Sequence, residues 1–169
     1  YGTSPVLVDT DFDGIDDKDE IFEYRTDPVD PDTDSDQLLD GEEINRYGTD
    51  PKNQDTDGGS VPDGVEVLHP GDIGAVPGEH VLRDLPPVDV LLLPVGGNYT
   101  IGPAEAVQLA RRLSPRWVVP MHFRCEKVDL PMEPLQSFLD VWPFDVHYGR
   151  ELGLDSAPPP GAWVLTARN

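Results

Sequence analysis

Hydrophobic and polar positions follow two different plans along this 169-residue chain. Up to about residue 66, apolar residues are sparse among acidic ones and never form a run longer than Val6–Val8. Beyond that point they gather into runs. The run Val88–Leu93 has the length and density of a buried strand, and Pro94 with Gly96-Gly97 ends it. Gly102-Pro103 opens a helix that runs to Leu113, with Ala106, Leu109, Ala110 and Leu113 on its apolar face. Trp117–Val119 reads as a second buried strand. The three together predict a β-α-β unit with a right-handed parallel crossover. A strand at Val65–Leu68, a short helix at Glu133–Val141 and strands at Phe144–Tyr148 and Ala162–Thr166 complete the prediction, with Pro158–Pro160 as a loop.

The first plan is a repeat. Asp9-Thr10-Asp11, Asp32-Thr33-Asp34 and Asp55-Thr56-Asp57 start 23 residues apart. Glu20-Ile21 returns as Glu43-Ile44, and Thr26-Asp27-Pro28 returns as Thr49-Asp50-Pro51. Tyr1, Thr3 and Pro5 fall in the same register, so the chain is expected to begin part-way through an earlier repeat and to be a piece of something longer.

Each unit holds a twelve-residue loop, and the first has the form D-x-[DN]-x-[DN]-G-x5-E, a pattern suited to Ca²⁺. Calcium takes roughly six to eight oxygens, and carboxylates at loop positions 1, 3 and 5 can converge on one ion. In the first loop these are Asp9, Asp11 and Asp13; the carbonyl of Ile15, the carboxylate of Asp17 and that of Glu20 are expected to complete the site. Gly14 permits the bend at position 6. The second loop offers Asp32, Asp34, Asp36, the carbonyl of Leu38, Asp40 and Glu43, with Gln37 in place of the bend glycine. The third keeps Asp55, Asp57, Asp63 and Glu66 but has Gly59 at position 5, so it is expected to bind most weakly.

An EF-hand would need a helix of several turns on each side of the loop. The connectors Ile21–Pro31 and Ile44–Gln54 are short and broken by Asp-Pro, leaving room for at most one turn after each Glu. On its Asp-x-Asp-x-Asp-Gly-x-x-Asp core and Tyr-(Arg/Gly)-Thr-Asp-Pro connector, the segment 1–68 resembles the thrombospondin type 3 repeats in their bacterial, cysteine-free form. That resemblance implies Asp27 and Asp50 as further calcium ligands.

Charge sharpens the division. The chain carries 33 acidic and 12 basic residues, a net charge of -21. Most of the acid lies before residue 67, which excludes nucleic acid and anionic membranes as partners of that half and makes cations its natural ligands. Acid-rich segments with few apolar residues are commonly disordered, but a three-fold phased ligand pattern argues against that here. No apolar run reaches the length of a membrane span. Cys125 is the only cysteine, so no internal disulfide forms. Clustered sites with little packing suit millimolar external calcium, so an extracellular or cell-surface protein is expected, with any targeting segment outside this sequence.

In the second half, Asp72 follows the Val65–Leu68 strand on a glycine-flanked turn, and His122 follows the Trp117–Val119 strand. Carboxyl ends of parallel strands often build sites, although each residue alone reads as an ordinary turn Asp or partly buried His. His69, His80 and His147 lack ligand spacing. Together, His69-Pro70-Gly71-Asp72-Ile73-Gly74, the stretch Asp89–Thr100 and Val118-Val119-Pro120-Met121-His122-Phe123 resemble the metallo-β-lactamase-fold hydrolases. The likeness is to the C-terminal half of that αββα fold, over about residues 69–167. It implies Asp72 as a carboxylate shared by two metals and His122 as a late His ligand, with Zn²⁺ as the metal. The family's His-x-His-x-Asp-His motif is missing from this chain.

The fold expected is thus an irregular calcium-stabilised repeat region, 1–68, followed by a partial α/β domain, 69–169. The function expected is a calcium-binding structural or spacer module with a half-domain that has no complete catalytic site. The alternative is a fragment of a zinc-dependent hydrolase whose histidine-rich half lies elsewhere. A recombined reading frame, joined within Glu66–Asp72, is a third possibility. A half-domain leaves apolar surface uncovered, so self-association or a partner chain is also expected. With about 20 carboxylates repelling one another and no apolar core, cation binding should supply the folding energy of the first region. Small-angle scattering in chelator and in millimolar calcium should then give different dimensions; identical curves would contradict this.

Overall fold

The computed structural model describes residues 2–125, 130–154 and 158–165. The chain forms two compact units, residues 1–65 and 66–169. None of the helices among the described residues is long and apolar enough to cross a membrane.

The first unit has almost no sheet or helix. Two short helices, α1 (Asp17–Asp19) and α2 (Asp40–Glu42), each run on into a π-helical turn, Glu20–Tyr24 and Glu43–Tyr47. Each Glu is followed by about one turn, as the Asp-Pro breaks imply, and the short α-helix before it is additional. Each segment ends on a left-handed residue, Arg25 (φ 68°) and Gly48 (φ 76°), whose N–H donates to the carbonyl of Glu20 or Glu43 at 2.7 and 2.6 Å. Only then does the Thr-Asp-Pro connector begin. The bend at loop position 6 is left-handed in all three loops: Gly14 at φ 100°, Gln37 at 87° and Ser60 at 67°. Gln37 and Ser60 therefore carry the strain that the first loop avoids with glycine.

The second unit is a five-stranded, all-parallel sheet in the order β1-β2-β3-β5-β4. Its strands are β1 (Val67–Leu68), β2 (Val90–Pro94), β3 (Trp117–Met121), β4 (Val146–Gly149) and β5 (Gly161–Leu165). The helices are α3 (Glu79–Leu82), α4 (Pro103–Leu113) and α5 (Leu135–Leu139). The predicted β-α-β unit is present as β2-α4-β3, paired from Val90↔Trp117 to Pro94↔Met121. α4 ends on Ser114 in the left-handed region (φ 51°). α3 has no counterpart in the prediction, because His80 and Val81 give too few apolar positions to show a helical period. The strand predicted over Ala162–Thr166 spans Gly161–Leu165; Thr166 lies outside the described residues.

The core lies between β2, β3 and α4. Leu91, Leu93, Ala106, Leu109 and Val118 form one cluster with Phe138 and Ala162. Central strands buried on both faces explain why β2 and β3 read as continuous apolar runs instead of alternating ones. Val90 and Val119 are buried too, so the centre of the sheet is covered on both sides. Leu91→Ala should cost about 2–5 kcal/mol, because Leu91 is fully buried in this cluster. Urea unfolding followed by the combined fluorescence of Trp117, Trp142 and Trp163 should show it, and a loss under about 1 kcal/mol would place the core elsewhere.

Candidate metal centres

Two kinds of candidate site emerge, one in each unit. In the second unit the sheet carries Asp72 and His122 to one end. Asp72 follows β1, and His122 directly follows β3, with β2 between them. His122 Nε2 lies 3.5 Å from Asp72 Oδ1. His122 sits in the left-handed region (φ 56°), an unfavourable conformation for a non-glycine residue and one that persists only where surrounding structure enforces it. Gly96, at the end of β2, is part of that enforcement: a Cβ on it would stand 2.0 Å from the His122 carbonyl oxygen. The Nδ1 of His122 is buried and has no hydrogen-bond partner among the described residues. An imidazole held in strain beside a carboxylate, with a bare ring nitrogen, fits a metal ligand. Among the described residues, no group of three ligating side chains includes this pair, so it offers two of the roughly three protein ligands a catalytic zinc requires.

The other histidines take structural roles. His69 Nδ1 accepts the N–H of Gly71 at 2.9 Å, shaping the turn that presents Asp72. His147 stacks on Trp163 with ring centroids 5.1 Å apart. His80 lies on α3.

In the first unit, four carboxylate groups converge within 4.8 Å: Asp9–Asp11–Asp13, Asp32–Asp34–Asp36, Asp13–Glu20–Asp40 and Asp36–Glu43–Asp63. Positions 1, 3 and 5 thus gather in the first and second loops. Their geometry comes from backbone N–H groups: Asp9 accepts from Phe12 and Gly14, and Asp32 accepts from Asp36 and Gln37. The amides of Ile15 and Leu38 donate to Asp13 and Asp36, fixing position 7 against position 5.

Position 9 differs from the expectation. Asp40 and Asp63 join the cluster of the preceding loop, not of their own. Asp17 accepts from the N–H and hydroxyl of Thr10 at 2.7 and 2.8 Å and enters none of the four groups. In the third loop Asp55 and Asp57 accept the amides of Gly59 and Ser60 but form no cluster. Glu66, expected to close that loop, is exposed and belongs to the second unit. Asp27 caps the turn at Val29, and Asp50 pairs with Lys52 at 3.2 Å; neither reaches a cluster.

Burial of these carboxylates is electrostatically expensive. Glu20 and Glu43 are fully buried, and Asp13 nearly so. Desolvation pushes Glu20 and Glu43 from the ordinary 4.5 to about 7, against the opposing hydrogen bonds from Thr26 and Thr49. Asp13 and Asp34 rise from 3.8 to about 6, desolvation again leading and neighbouring carboxylates adding to it.

The comparisons with known proteins bear on the second half. Residues 51–122 match the family model described as Beta-lactamase superfamily domain. A UPF0173 metal-dependent hydrolase of Desulforamulus reducens is 40% identical over 57 residues, 34% of this chain and 25% of that protein. A namesake from Methanoculleus marisnigri is 49% identical over 57 residues, with the same shares. A solved structure from Thermotoga maritima, assigned as a Zn-dependent hydrolase of the metallo-beta-lactamase superfamily, aligns with TM-score 0.55 and 30% identity. The alignment covers 63% of this chain and 56% of that one. The second unit has a metallo-β-lactamase-like α/β fold.

The chain spans about a quarter of the length of the curated relatives it matches. These matches correct the functional expectation. Relatives named as metal-dependent hydrolases favour the hydrolase fragment over the calcium-binding spacer, and a divalent metal such as zinc is the cofactor their names suggest. The likeness of residues 1–68 to thrombospondin type 3 repeats gains no support from them, and the family match begins at residue 51, inside the last connector.

The raised carboxyl values fix a sign. In metal-free protein the folded state holds protons that the unfolded state has released between about pH 4.5 and 7. Stability therefore falls as pH rises through that window and levels off above it. Hydrogen-exchange protection of the Arg25 and Gly48 amides in chelator should be greater at pH 5 than at pH 8. Equal or rising protection would contradict the burial of Glu20 and Glu43.

Proposed function

We propose that residues 66–169 are the C-terminal part of a metal-dependent hydrolase domain, with Asp72 and His122 as two of its metal ligands. The observation that carries this reading is the meeting of Asp72 and His122 at the carboxyl end of a parallel sheet, with His122 strained and its Nδ1 bare. The fold likeness to the Thermotoga maritima structure and the relatives' names support it.

The remaining ligands come from outside this chain, from the histidine-rich half of the domain or from a partner. A zinc ion at such a centre supplies an activated water and polarises the bond to be cleaved. The residues of this chain have simpler tasks. Asp72 offers a carboxylate that can lie between two cations. His122 offers one ring nitrogen, its direction fixed by the turn after β3 and by the close approach of Gly96. The turn His69–Asp72 and the β2 end set the distance between them. Association of this unit with the complementary half, in the same or another chain, belongs to the same proposal.

Metal analysis tests it. The product of the complete gene, washed with a weak chelator, should retain zinc. Asp72→Asn and His122→Ala should each lower zinc affinity by about tenfold or more, while His80→Ala leaves it unchanged. Zinc content indifferent to both substitutions would overturn the assignment.

A further inference from the structure

A recess of about 420 Å³ opens beyond the carboxyl end of β2, lined by Gly96, Asn98, Arg124 and the stretch Pro131–Pro134. That volume falls within the range of small-molecule sites, about 300–1,000 Å³. The recess adjoins the Asp72–His122 pair. Gly96 lines it, and a Cβ on Gly96 would stand 2.0 Å from the His122 carbonyl oxygen. One residue thus borders both the recess and the turn that carries His122.

Backbone hydrogen bonds fix its walls. The Arg124 N–H donates to the Glu133 carbonyl at 3.0 Å, and the Glu133 N–H donates to the Gly96 carbonyl at 2.7 Å. A parallel bridge joins Arg124 to Pro134. Main-chain atoms therefore tie Arg124 and Glu133 to the end of β2. On the opposite wall Gly97 (φ 62°) and Asn98 (φ 58°) are both left-handed, a conformation that asparagine tolerates better than most residues. The amides of Tyr99 and Thr100 donate to the Gly97 carbonyl at 2.6 and 3.3 Å, closing the turn on which Asn98 stands.

The lining is polar and charged. Asn98, Arg124 and Glu133 stand among prolines and Met132, without an aromatic ring. Glu133 is engaged already, its Oε2 accepting the Ser137 hydroxyl at 2.8 Å. Arg124 differs. The chain has 33 acidic residues against 12 basic ones, so carboxylate partners are abundant. Among the described residues, none forms an ion pair with Arg124. A guanidinium presents a planar fork of donors that matches a carboxylate or phosphate with two parallel hydrogen bonds.

We infer that this recess is the substrate subsite of the centre proposed above, and that Arg124 binds an anionic group, carboxylate or phosphate, of a small polar substrate. The inference rests on the hydrolase reading, because only a neighbouring metal makes the bound molecule a substrate; the anion site itself needs no metal. Arg124 is a specificity-determining residue. It holds the charged end of the molecule, while the bond to be cleaved lies toward Asp72 and His122. Asn98 offers an amide that donates to the same anionic group. A substrate without the charge forgoes the guanidinium contact, and a bulky apolar one meets polar walls.

Titration of the full chain in chelator tests the site, with sodium phosphate in one arm and sodium acetate in the other, at constant ionic strength. The readout is the amide resonances of Gly96, Asn98 and Glu133. At least one anion should shift them saturably, and the tighter of the two identifies the group that Arg124 selects. Arg124→Gln should weaken that binding by about tenfold or more, and Arg124→Lys should retain part of it. Arg111→Gln, on α4, should change nothing. Resonances unmoved by both anions, or equal shifts in Arg124→Gln and the unsubstituted chain, would overturn the subsite. The chelator keeps the two readings apart. Zinc content indifferent to Asp72→Asn and His122→Ala would overturn the substrate role and leave the anion titration as it was.

Discussion

A carboxylate removed from water must find a donor or a positive charge, and this constraint governs the first unit. Its chain has few apolar residues to bury, yet Glu20, Glu43, Asp36 and Asp40 are among its most deeply buried side chains. Threonine hydroxyls and backbone amides satisfy part of each group. What they leave bare are the same oxygens in two successive repeats, Asp11 Oδ2 with Glu20 Oε2 and Asp34 Oδ2 with Glu43 Oε2. Protons can serve at low pH, which is the meaning of the raised carboxyl values. At neutral pH a cation is the natural counter-charge, because it can also bind several oxygens at once.

The second unit rests on a different constraint, the parallel sheet. Parallel pairing of β1, β2 and β3 sets all their carboxyl ends at one edge, and β2 in the middle has no room for polar side chains. Functional residues can only stand where strands end. Asp72 and His122 do so, and the turns that hold them, at His69–Asp72 and at Gly96, are shaped by hydrogen bonding and close approach, not by apolar burial. Fold and site are therefore separable: Leu91 or Val118 determines whether the sheet forms, whereas Gly96 determines where His122 points.

Much of this was legible in the sequence, for identifiable reasons. The β2-α4-β3 unit declared itself because both strands are buried on both faces, so their apolar runs are unbroken. The triads at loop positions 1, 3 and 5 were legible because their ligands lie close together along the chain. Asp40 and Asp63 were expected to act within their own loops because a loop pattern is local, whereas the structure groups them with carboxylates of the previous repeat. A signal was nevertheless present. Gly41 and Gly64 follow the two bridging aspartates, while Lys18 follows Asp17, which bridges nothing in this structure. Glycine after position 9 marks the place where one repeat's backbone meets the next. The functional expectation failed for another reason: it weighed the completeness of each site, and a site divided between segments always looks incomplete in one of them.

Donor chemistry keeps the two kinds of centre distinct. The first unit presents oxygen alone, from carboxylates whose flexible geometry tolerates a large ion with a high coordination number. The pair in the second unit combines one carboxylate with one imidazole, the mixture that suits zinc and similar ions. Zinc bound at an all-oxygen cluster would forgo its preferred nitrogen donors, and calcium at Asp72–His122 would find a single oxygen-bearing side chain. Each metal is thus disfavoured at the other's residues by the donors themselves. Selection of an ion is made atom by atom, in the side chains that converge on it.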